Sequence, residues 1–230
     1  MSATNPIPAI KQLYQLYQLD DSGQHKLDQL MIEQNEQVLG IQLPPLLYHY
    51  LLELGNVAKL NSQHHQLLLL PIERLGDYII IGKTCDNDGV WGIHQDDLTQ
   101  LNPMVQMSRN FDAIDSSEVH WFDELPLSVF LLAQAIVNGV NGGLAEHAQI
   151  YDFIGDTIPT NLPDTLNTMA TELLELRQVH ERYYQADAFG VVMMVSLDDE
   201  QRPTAFCIGS QEKSLFNDWL TRLSLQHESA

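Results

Sequence analysis

Several carboxylates are adjacent in this sequence, and their type and spacing make them the first candidates for acid–base catalysis. They occur at Asp20-Asp21, Asp96-Asp97 and Asp198-Asp199-Glu200. A hydrolase uses one carboxyl as acid and another as base, on opposite sides of the bond that breaks. Neighbours in sequence rarely reach that geometry, and all three groups fall at predicted turns or helix starts, where Asp caps backbone amides. Capping is therefore the favoured interpretation, and a hydrolase built on paired carboxylates is the alternative.

Histidine and cysteine are the other side chains that could hold a metal or act as a nucleophile. The nine histidines are scattered, and no His-Glu-x-x-His motif occurs. His64-His65 are adjacent, which on a helix or strand points the rings apart, so we predict solvated loop histidines. Cys85 and Cys207 have no paired metal-ligand spacing. The neighbouring Asp86 and Asp88 should raise the pKa of the Cys85 thiol.

Motifs of known enzyme classes are missing from the sequence. It contains no Gly-x-Ser-x-Gly elbow, no P-loop and no dinucleotide fingerprint. Asp86, Asp88 and Gly89 weakly resemble a calcium loop, but Asp97 stands where such a loop ends in Glu. The sequence therefore predicts no enzyme, no metal site and no cofactor.

The charge balance is unusual. Thirty-one acidic residues against eleven basic ones give a net charge of −20, although charged residues make up only 18 % of the chain. The imbalance comes from missing Lys and Arg as much as from added carboxylates. Such a surface attracts basic proteins and repels nucleic acid and anionic membranes, so direct binding of either is disfavoured. Solubility alone is the competing explanation of the acidity.

The sequence also bears on the cellular compartment. The longest apolar runs, residues 67–72 and 190–195, are too short to cross a bilayer. The opening MSATNPIPAI lacks the basic and apolar stretches of a secretory signal, and two cysteines give no disulfide framework. We expect a reduced, cytoplasmic protein.

Hydrophobic periodicity indicates the elements that position these side chains. Helical spacing predicts helices over residues 7–19, 25–39, 44–54, 127–140, 163–179 and 214–223. In the second helix, the expected apolar face consists of Leu27, Leu30, Met31, Gln34 and Val38. Short β-like runs between turn residues predict strands over residues 67–70, 78–81, 90–94, 104–107, 183–185, 189–197 and 205–208. Helices and strands come in runs with hairpin spacing, so the predicted class is α+β, with a largely antiparallel sheet flanked by helices.

Three segments carry a family resemblance. Residues 32–56 (IEQNEQVLGIQLPPLLYHYLLELGN) contain a helix that ends at LGI-x-LP and a second helix that ends in a small polar turn. Residues 87–105 (NDGVWGIHQDDLTQLNPMV) join a turn, a Gly-containing strand with an aromatic residue, an acidic stretch and NP-x-V. Residues 183–188 (YYQADA) open a C-terminal hairpin. In order and spacing these blocks resemble the SUKH superfamily, the SMI/KNR-type domain.

The resemblance implies one domain over residues 25–223, with a helical extension at 1–24 and a tail at 224–230. It also implies a non-enzymatic role. Bacterial members are frequently immunity proteins that bind and neutralise toxin domains, often nucleases, whereas fungal relatives act as regulatory scaffolds. An acidic face would suit a nuclease, which presents basic residues to phosphate. The predicted partner is therefore a basic toxin domain, and a regulatory or scaffold role is the alternative.

The residues expected to contact that partner come from two places. The first set is the turn and acidic stretch around the third predicted strand, and the second set is the C-terminal hairpin. Carboxylates would pair with Arg or Lys of the toxin, and an exposed Trp or Tyr would anchor the interface, although Trp91 could equally be a core residue. The predicted contact residues are Asp86, Asp88, Trp91, Asp96 and Asp97, followed by Tyr184, Asp198, Asp199 and Glu200.

Overall fold

The computed structural model describes residues 7–20, 23–67, 70–86, 88–109, 119–151, 158–176 and 180–223. Over these residues the chain forms α-helices and two antiparallel sheets, which confirms the predicted α+β class. The helices are α1 (Ile7–Leu16), α2 (Gln29–Leu39), α3 (Pro45–Leu54), α4 (Ala58–Asn61), α5 (Leu127–Asn138), α6 (Leu162–Met169) and α7 (Lys213–Arg222). The strands are β1 (Gln66–Leu67), β2 (Glu73–Leu75), β3 (Tyr78–Lys83), β4 (Val90–His94), β5 (Met104–Ser108), β6 (Phe122–Pro126), β7 (Glu146–Tyr151), β8 (Thr171–Leu176), β9 (Glu181–Ala186), β10 (Val191–Leu197) and β11 (Pro203–Ser210). None of the helices in these ranges is long and apolar enough to span a membrane.

Contacts between residues divide the chain into two compact units. The first unit comprises Met1–Lys11 and Asp20–Gln134, and the second comprises Gln12–Leu19 and Ala135–Ala230. The second unit is therefore assembled from two pieces of sequence that flank most of the first. The predicted domain bounds of 1–24, 25–223 and 224–230 remain a prediction.

The sheet of the first unit has the order β1-β3-β4-β5-β6, and β2 also pairs with β3. The predicted strands at 78–81, 90–94 and 104–107 are confirmed as β3, β4 and β5. Of the predicted strand at 67–70, Leu67 lies in β1, and residues 68–69 lie outside the described ranges. β2 and β6 were not predicted, because their charged sequences ERL and FDELP have no apolar run of their own and depend on pairing with β3 and β5.

Local signals explain the ends of α2 and α3. The Asp28 carboxylate accepts a hydrogen bond from the Leu30 amide at 2.9 Å, so α2 begins after Asp28 rather than at residue 25. Gly40 ends α2 in the left-handed conformation, at a φ of 66°. The predicted apolar face of α2 needs correction. Leu30, Met31 and Val38 are exposed, and Ile32 is the residue of α2 that enters the core.

The sheet of the second unit has the order β7-β11-β10-β9-β8. Helices α6 and α7 cover one of its faces and bury Leu166, Phe216 and Trp219 in its core. The predicted helix over 163–179 is wrong for residues 170–176, and residues 177–179 lie outside the described ranges. The Ala170 amide donates to Leu166 O at 2.8 Å and closes α6, and residues 171–176 pair with β9 as strand β8. Strand β7, which pairs with β11, was not predicted.

Candidate protein-binding site

The β3–β4 hairpin of the first unit carries the first set of predicted contact residues. Tyr78 lies opposite His94, and Lys83 lies opposite Val90. The turn at 84–89 and the segment 95–97 are therefore at opposite ends of the hairpin. The six residues of β3 separate these ends by roughly 17 Å at about 3.3 Å per residue. The structure thus keeps Asp86 and Asp88 apart from Asp96 and Asp97.

Three carboxylates gather where β3 begins and β4 ends; we call Asp77, Asp96 and Asp97 the acidic end. Gln95 connects its parts, because its backbone amide donates to Asp77 O at 2.8 Å and its Nε2 donates to Asp77 Oδ1 at 3.2 Å. Asp77 and Asp96 are exposed, and Asp97 is half-buried. The sequence prediction missed Asp77, since only the register of the hairpin shows that this turn residue lies beside the segment 95–97.

An aromatic stack adjoins the acidic end. The rings of Tyr78 and Trp121 are nearly parallel, with centroids 3.9 Å apart, and the His94 ring meets Tyr78 edge-on at 5.0 Å. Gly92 makes the stack possible, because a Cβ at this position would lie 2.8 Å from the Trp121 indole. All three rings are half-buried, so each also presents part of its surface to solvent. Trp121 was not among the predicted contact residues, because only the folded structure brings it to this end of the hairpin.

The other end of the hairpin is a tight turn organised by Thr84. Its hydroxyl donates to Asp88 Oδ1 at 2.8 Å and accepts from the Gly89 amide at 2.8 Å. Asp86 and Asp88 are exposed, as a contact role requires. A hydrogen bond from its own backbone amide holds the pKa of Asp86 below its ordinary value. Trp91 is half-buried, and its ring contacts His65 at 5.0 Å and Phe130 at 5.5 Å.

His64, His65 and Cys85 form a cluster beside this turn, which we call the His–Cys cluster. One potential ligand atom from each residue lies within 4.8 Å of the others, and Cys85 Sγ is 3.5 Å from His64 Nε2. The expectation that the two histidine rings point apart is wrong, because residues 62–65 are neither helix nor strand and the ring centroids are 4.7 Å apart.

Burial sets the protonation of the His–Cys cluster. It lowers the pKa of His65 to about 4 and also lowers the pKa of His64. Burial, and then the Asp86 carboxylate, raises the pKa of the Cys85 thiol, which confirms the direction predicted from sequence. At neutral pH the cluster therefore holds two neutral imidazoles and a protonated thiol.

The second set of predicted contact residues belongs to the second unit. Asp198, Asp199 and Glu200 lie in the turn between β10 and β11. Asp198 accepts from the Arg202 amide at 2.8 Å and from Arg202 Nε at 2.8 Å, and these bonds hold its pKa below the ordinary value. Arg202 also lies 3.2 Å from Glu200, whereas Asp199 is almost fully exposed. Part of the negative charge of this turn is thus neutralised by its own arginine.

Tyr184 is a core residue. Its side chain is 0 % exposed and packs in the cluster that contains Val191, Met193 and Phe206. Its position in β9 directs it toward α6 and α7 rather than toward solvent. This burial corrects the prediction that Tyr184 anchors a partner at the surface.

A pocket of about 290 Å³ in the second unit is lined by Glu175, His180, Glu181, Arg182, Leu197 and Gln201. Burial raises the pKa of Glu181, which accepts a hydrogen bond from the Tyr183 hydroxyl. Arg182 is 3.2 Å from Glu175. The pocket therefore places a carboxyl with a raised pKa and an ion-paired carboxylate within one small cavity.

The comparisons with known proteins leave the family open. Searches against protein-family models, curated proteins and solved structures each find nothing that matches this chain.

Proposed function

We propose that this protein is a cytoplasmic immunity protein that binds and neutralises a basic toxin domain, without catalysis, through the acidic end of the β3–β4 hairpin. The observation that carries the proposal is the placement of Asp77, Asp96 and Asp97 beside the half-buried Tyr78–Trp121 stack. Interfaces commonly combine an aromatic anchor with charged groups that select the partner. The acidic end therefore supports binding of a protein rich in Arg and Lys.

The overall charge supports the same proposal. The chain has only eleven basic residues, and several of them already pair with carboxylates of the chain. These ion pairs are Lys26–Glu53, Lys83–Glu73, Arg182–Glu175, Arg202–Asp198 and Arg222–Asp218. The carboxylates that exceed the basic residues give a negative field, which can raise association rates with a basic partner toward ~10⁸ M⁻¹s⁻¹ at low salt.

A nuclease toxin fits this surface best among basic partners. A nuclease must present positive charge to phosphate, and an inhibitor that covers that site gains from a negative face. The resemblance of residues 32–56, 87–105 and 183–188 to SUKH immunity proteins favours the same class. A regulatory or scaffold protein with the same fold is the alternative, and its partners would not be toxins.

An exposed apolar face on α2 also favours a binding role. Leu30 is 63 % exposed, Met31 is 50 % exposed and Val38 is 85 % exposed, and Met31 and Val38 lie seven residues apart, on the same side of the helix. Exposed apolar groups at helical spacing often mark a protein contact.

The pocket around Glu181 favours a hydrolase instead. A general acid requires a raised pKa, and Glu181 has one. Two facts place this function second. Glu175 is already held by Arg182, and the pocket volume of about 290 Å³ is at the lower limit of about 300 Å³ for ligand sites.

Capture from a lysate of the source cell, at low and then moderate salt, would test the proposal. We expect recovery of a basic protein with a toxin-type domain, and weaker recovery as salt rises. The double variant Asp96→Lys/Asp97→Lys should reduce the association rate with the purified partner at least about tenfold at low salt. The double variant Glu172→Lys/Glu212→Lys changes the net charge equally at two exposed positions of the second unit and is the matched control.

Equal effects of the two double variants would show that only net charge matters and would contradict a site at the acidic end. Recovery of several unrelated regulators, with no toxin-type domain, would favour the scaffold alternative.

A further inference from the structure

The His–Cys cluster is built by the pairing of β1 with β3. Gln66 lies opposite Lys83, so the residues just before Gln66 meet the residues just after Lys83. This register brings His64 and His65 against Cys85 although about twenty positions separate them in sequence. No function derived above uses these three side chains.

We propose that His64, His65 and Cys85 bind a divalent zinc ion or a chemically similar metal, with the Asp86 carboxylate or water as fourth ligand. A tetrahedral zinc ion with Zn–S and Zn–N bonds of about 2.3 and 2.05 Å sets its sulfur and nitrogen ligands ~3.6 Å apart. Cys85 Sγ and His64 Nε2 are 3.5 Å apart. The three ligand atoms lie within 4.8 Å of one another, so small side-chain rotations bring all of them around one ion.

The donor set selects the metal. Imidazole nitrogen and thiolate sulfur suit Zn²⁺, Co²⁺ and copper, whereas Ca²⁺ and Mg²⁺ require oxygen ligands. Neutral imidazole and thiolate are the forms of these side chains that bind metal. As the metal–sulfur bond forms, the thiol S–H bond breaks and its proton passes to solvent.

Nearby carboxylates favour a cation at this place. Asp86 Oδ1 is 3.7 Å from Cys85 Sγ, and Asp88 lies in the same turn. The negative charge that disfavours a bare thiolate is balanced once a divalent cation is present. The bound metal would join the loop at residues 62–65 to the turn at residues 84–89.

Metal titration of the full-length protein, purified without a histidine tag, tests the proposal. We expect one Zn²⁺ per chain by calorimetry, and with Co²⁺ a thiolate-to-metal charge-transfer band together with the intense visible bands of a tetrahedral ion. Because Trp91 contacts His65 at 5.0 Å, Co²⁺ should also quench tryptophan fluorescence.

Variants identify the ligands. Cys85→Ser, His64→Gln and His65→Gln should each weaken Zn²⁺ binding at least about tenfold, since even loss of a residue that only orients a ligand costs about 10- to 100-fold. His49→Gln, which changes an exposed histidine of α3, is the matched control and should bind normally. Cys85 is exposed, so Cys85→Ser should keep the fold, which circular dichroism checks.

Two results would overturn the proposal. One is Zn²⁺ binding of the same strength in Cys85→Ser and the unmodified protein, which would assign the metal to surface carboxylates. The other is a Co²⁺ complex without the thiolate band. Neither result bears on partner binding by the acidic end, which involves different residues.

Discussion

Asn61 ends α4 inside the first unit, where its side-chain amide connects α4 to α3. Its Oδ1 accepts from the Tyr50 hydroxyl at 2.6 Å, and its Nδ2 donates to Leu54 O at 2.7 Å and to Gly55 O at 3.3 Å. Asn61 is 0 % exposed. These bonds satisfy carbonyls at the end of α3 and fix the point from which the chain enters the loop of the His–Cys cluster.

Asn61→Ala should lower the free energy of unfolding by about 3 kcal/mol. The substitution removes three hydrogen bonds, each with a net contribution of about 1 kcal/mol, and water cannot easily replace them in a buried site. Tyr50→Phe removes the hydroxyl that donates to Asn61 and should lower the free energy of unfolding by about 1 to 2 kcal/mol. Because the two residues share that bond, the double variant should lose about 1 kcal/mol less than the sum of the single losses.

Urea unfolding of the four proteins, followed by tryptophan fluorescence and circular dichroism, measures these values. Asn167→Ala, at an exposed position of α6, is the control and should stay within about 0.5 kcal/mol of the unmodified protein. An Asn61→Ala loss no larger than that of the control would refute the argument that this amide holds α3 and α4 together.

Three further predictions concern pH and backbone geometry. Burial raises the pKa of Glu181, so this carboxyl binds a proton more tightly in the folded state than in the unfolded state. The free energy of unfolding should therefore fall as the pH rises above 4.5, the ordinary pKa of a glutamate carboxyl. Glu181→Gln can still accept a hydrogen bond from Tyr183. Its free energy of unfolding in urea should therefore increase relative to that of the unmodified protein between pH 4 and 7. A difference between the two proteins that stays constant over this pH range would contradict the prediction. Ala188 has a φ of 54°, a conformation that disfavours L side chains, so Ala188→Gly should raise the free energy of unfolding by about 1 kcal/mol in the same assay. Gly92→Ala places a Cβ 2.8 Å from the Trp121 indole. It should lower the free energy of unfolding by about 1 to 3 kcal/mol and change the tryptophan fluorescence. Unchanged emission would show that the indole does not lie over this strand.

The sequence correctly predicted those helices and strands whose local pattern of residues is compatible with only one type of element. Strands β3 and β10 have continuous apolar runs between turn residues, and α3 has its proline at the first turn and an apolar stripe. Residues 163–176 show the limit of this approach. Their leucines satisfy helical spacing, but the strand β9 supplies pairing partners for residues 171–176, and no local pattern reveals that partner.

The candidate site also contains residues that the sequence could identify and residues that it could not. Residue type alone identified Asp96 and Asp97 as candidates, and both lie at the acidic end. Asp77 and the His–Cys cluster depend on which residues face each other in β1, β3 and β4, and this register is a tertiary property. Tyr184 was placed incorrectly because the adjacent Tyr183 and Tyr184 are both buried in β9, and a strand buried on both faces gives no alternation from which the sequence could show it.

The arrangement of the second unit in two pieces has a consequence for synthesis on the ribosome. The Tyr17 hydroxyl donates to Ala135 O at 2.7 Å, across 118 positions of sequence. At roughly 5 to 20 residues per second, Tyr17 waits about 6 to 24 seconds for Ala135 to be made. During that time Leu13, Leu16 and Tyr17, which end up almost fully buried, lack the rest of their core. The stretch from Asp20 to Gln134 is continuous and can fold first, so these three apolar side chains stay without their partners until Ala135 and the residues after it have been made.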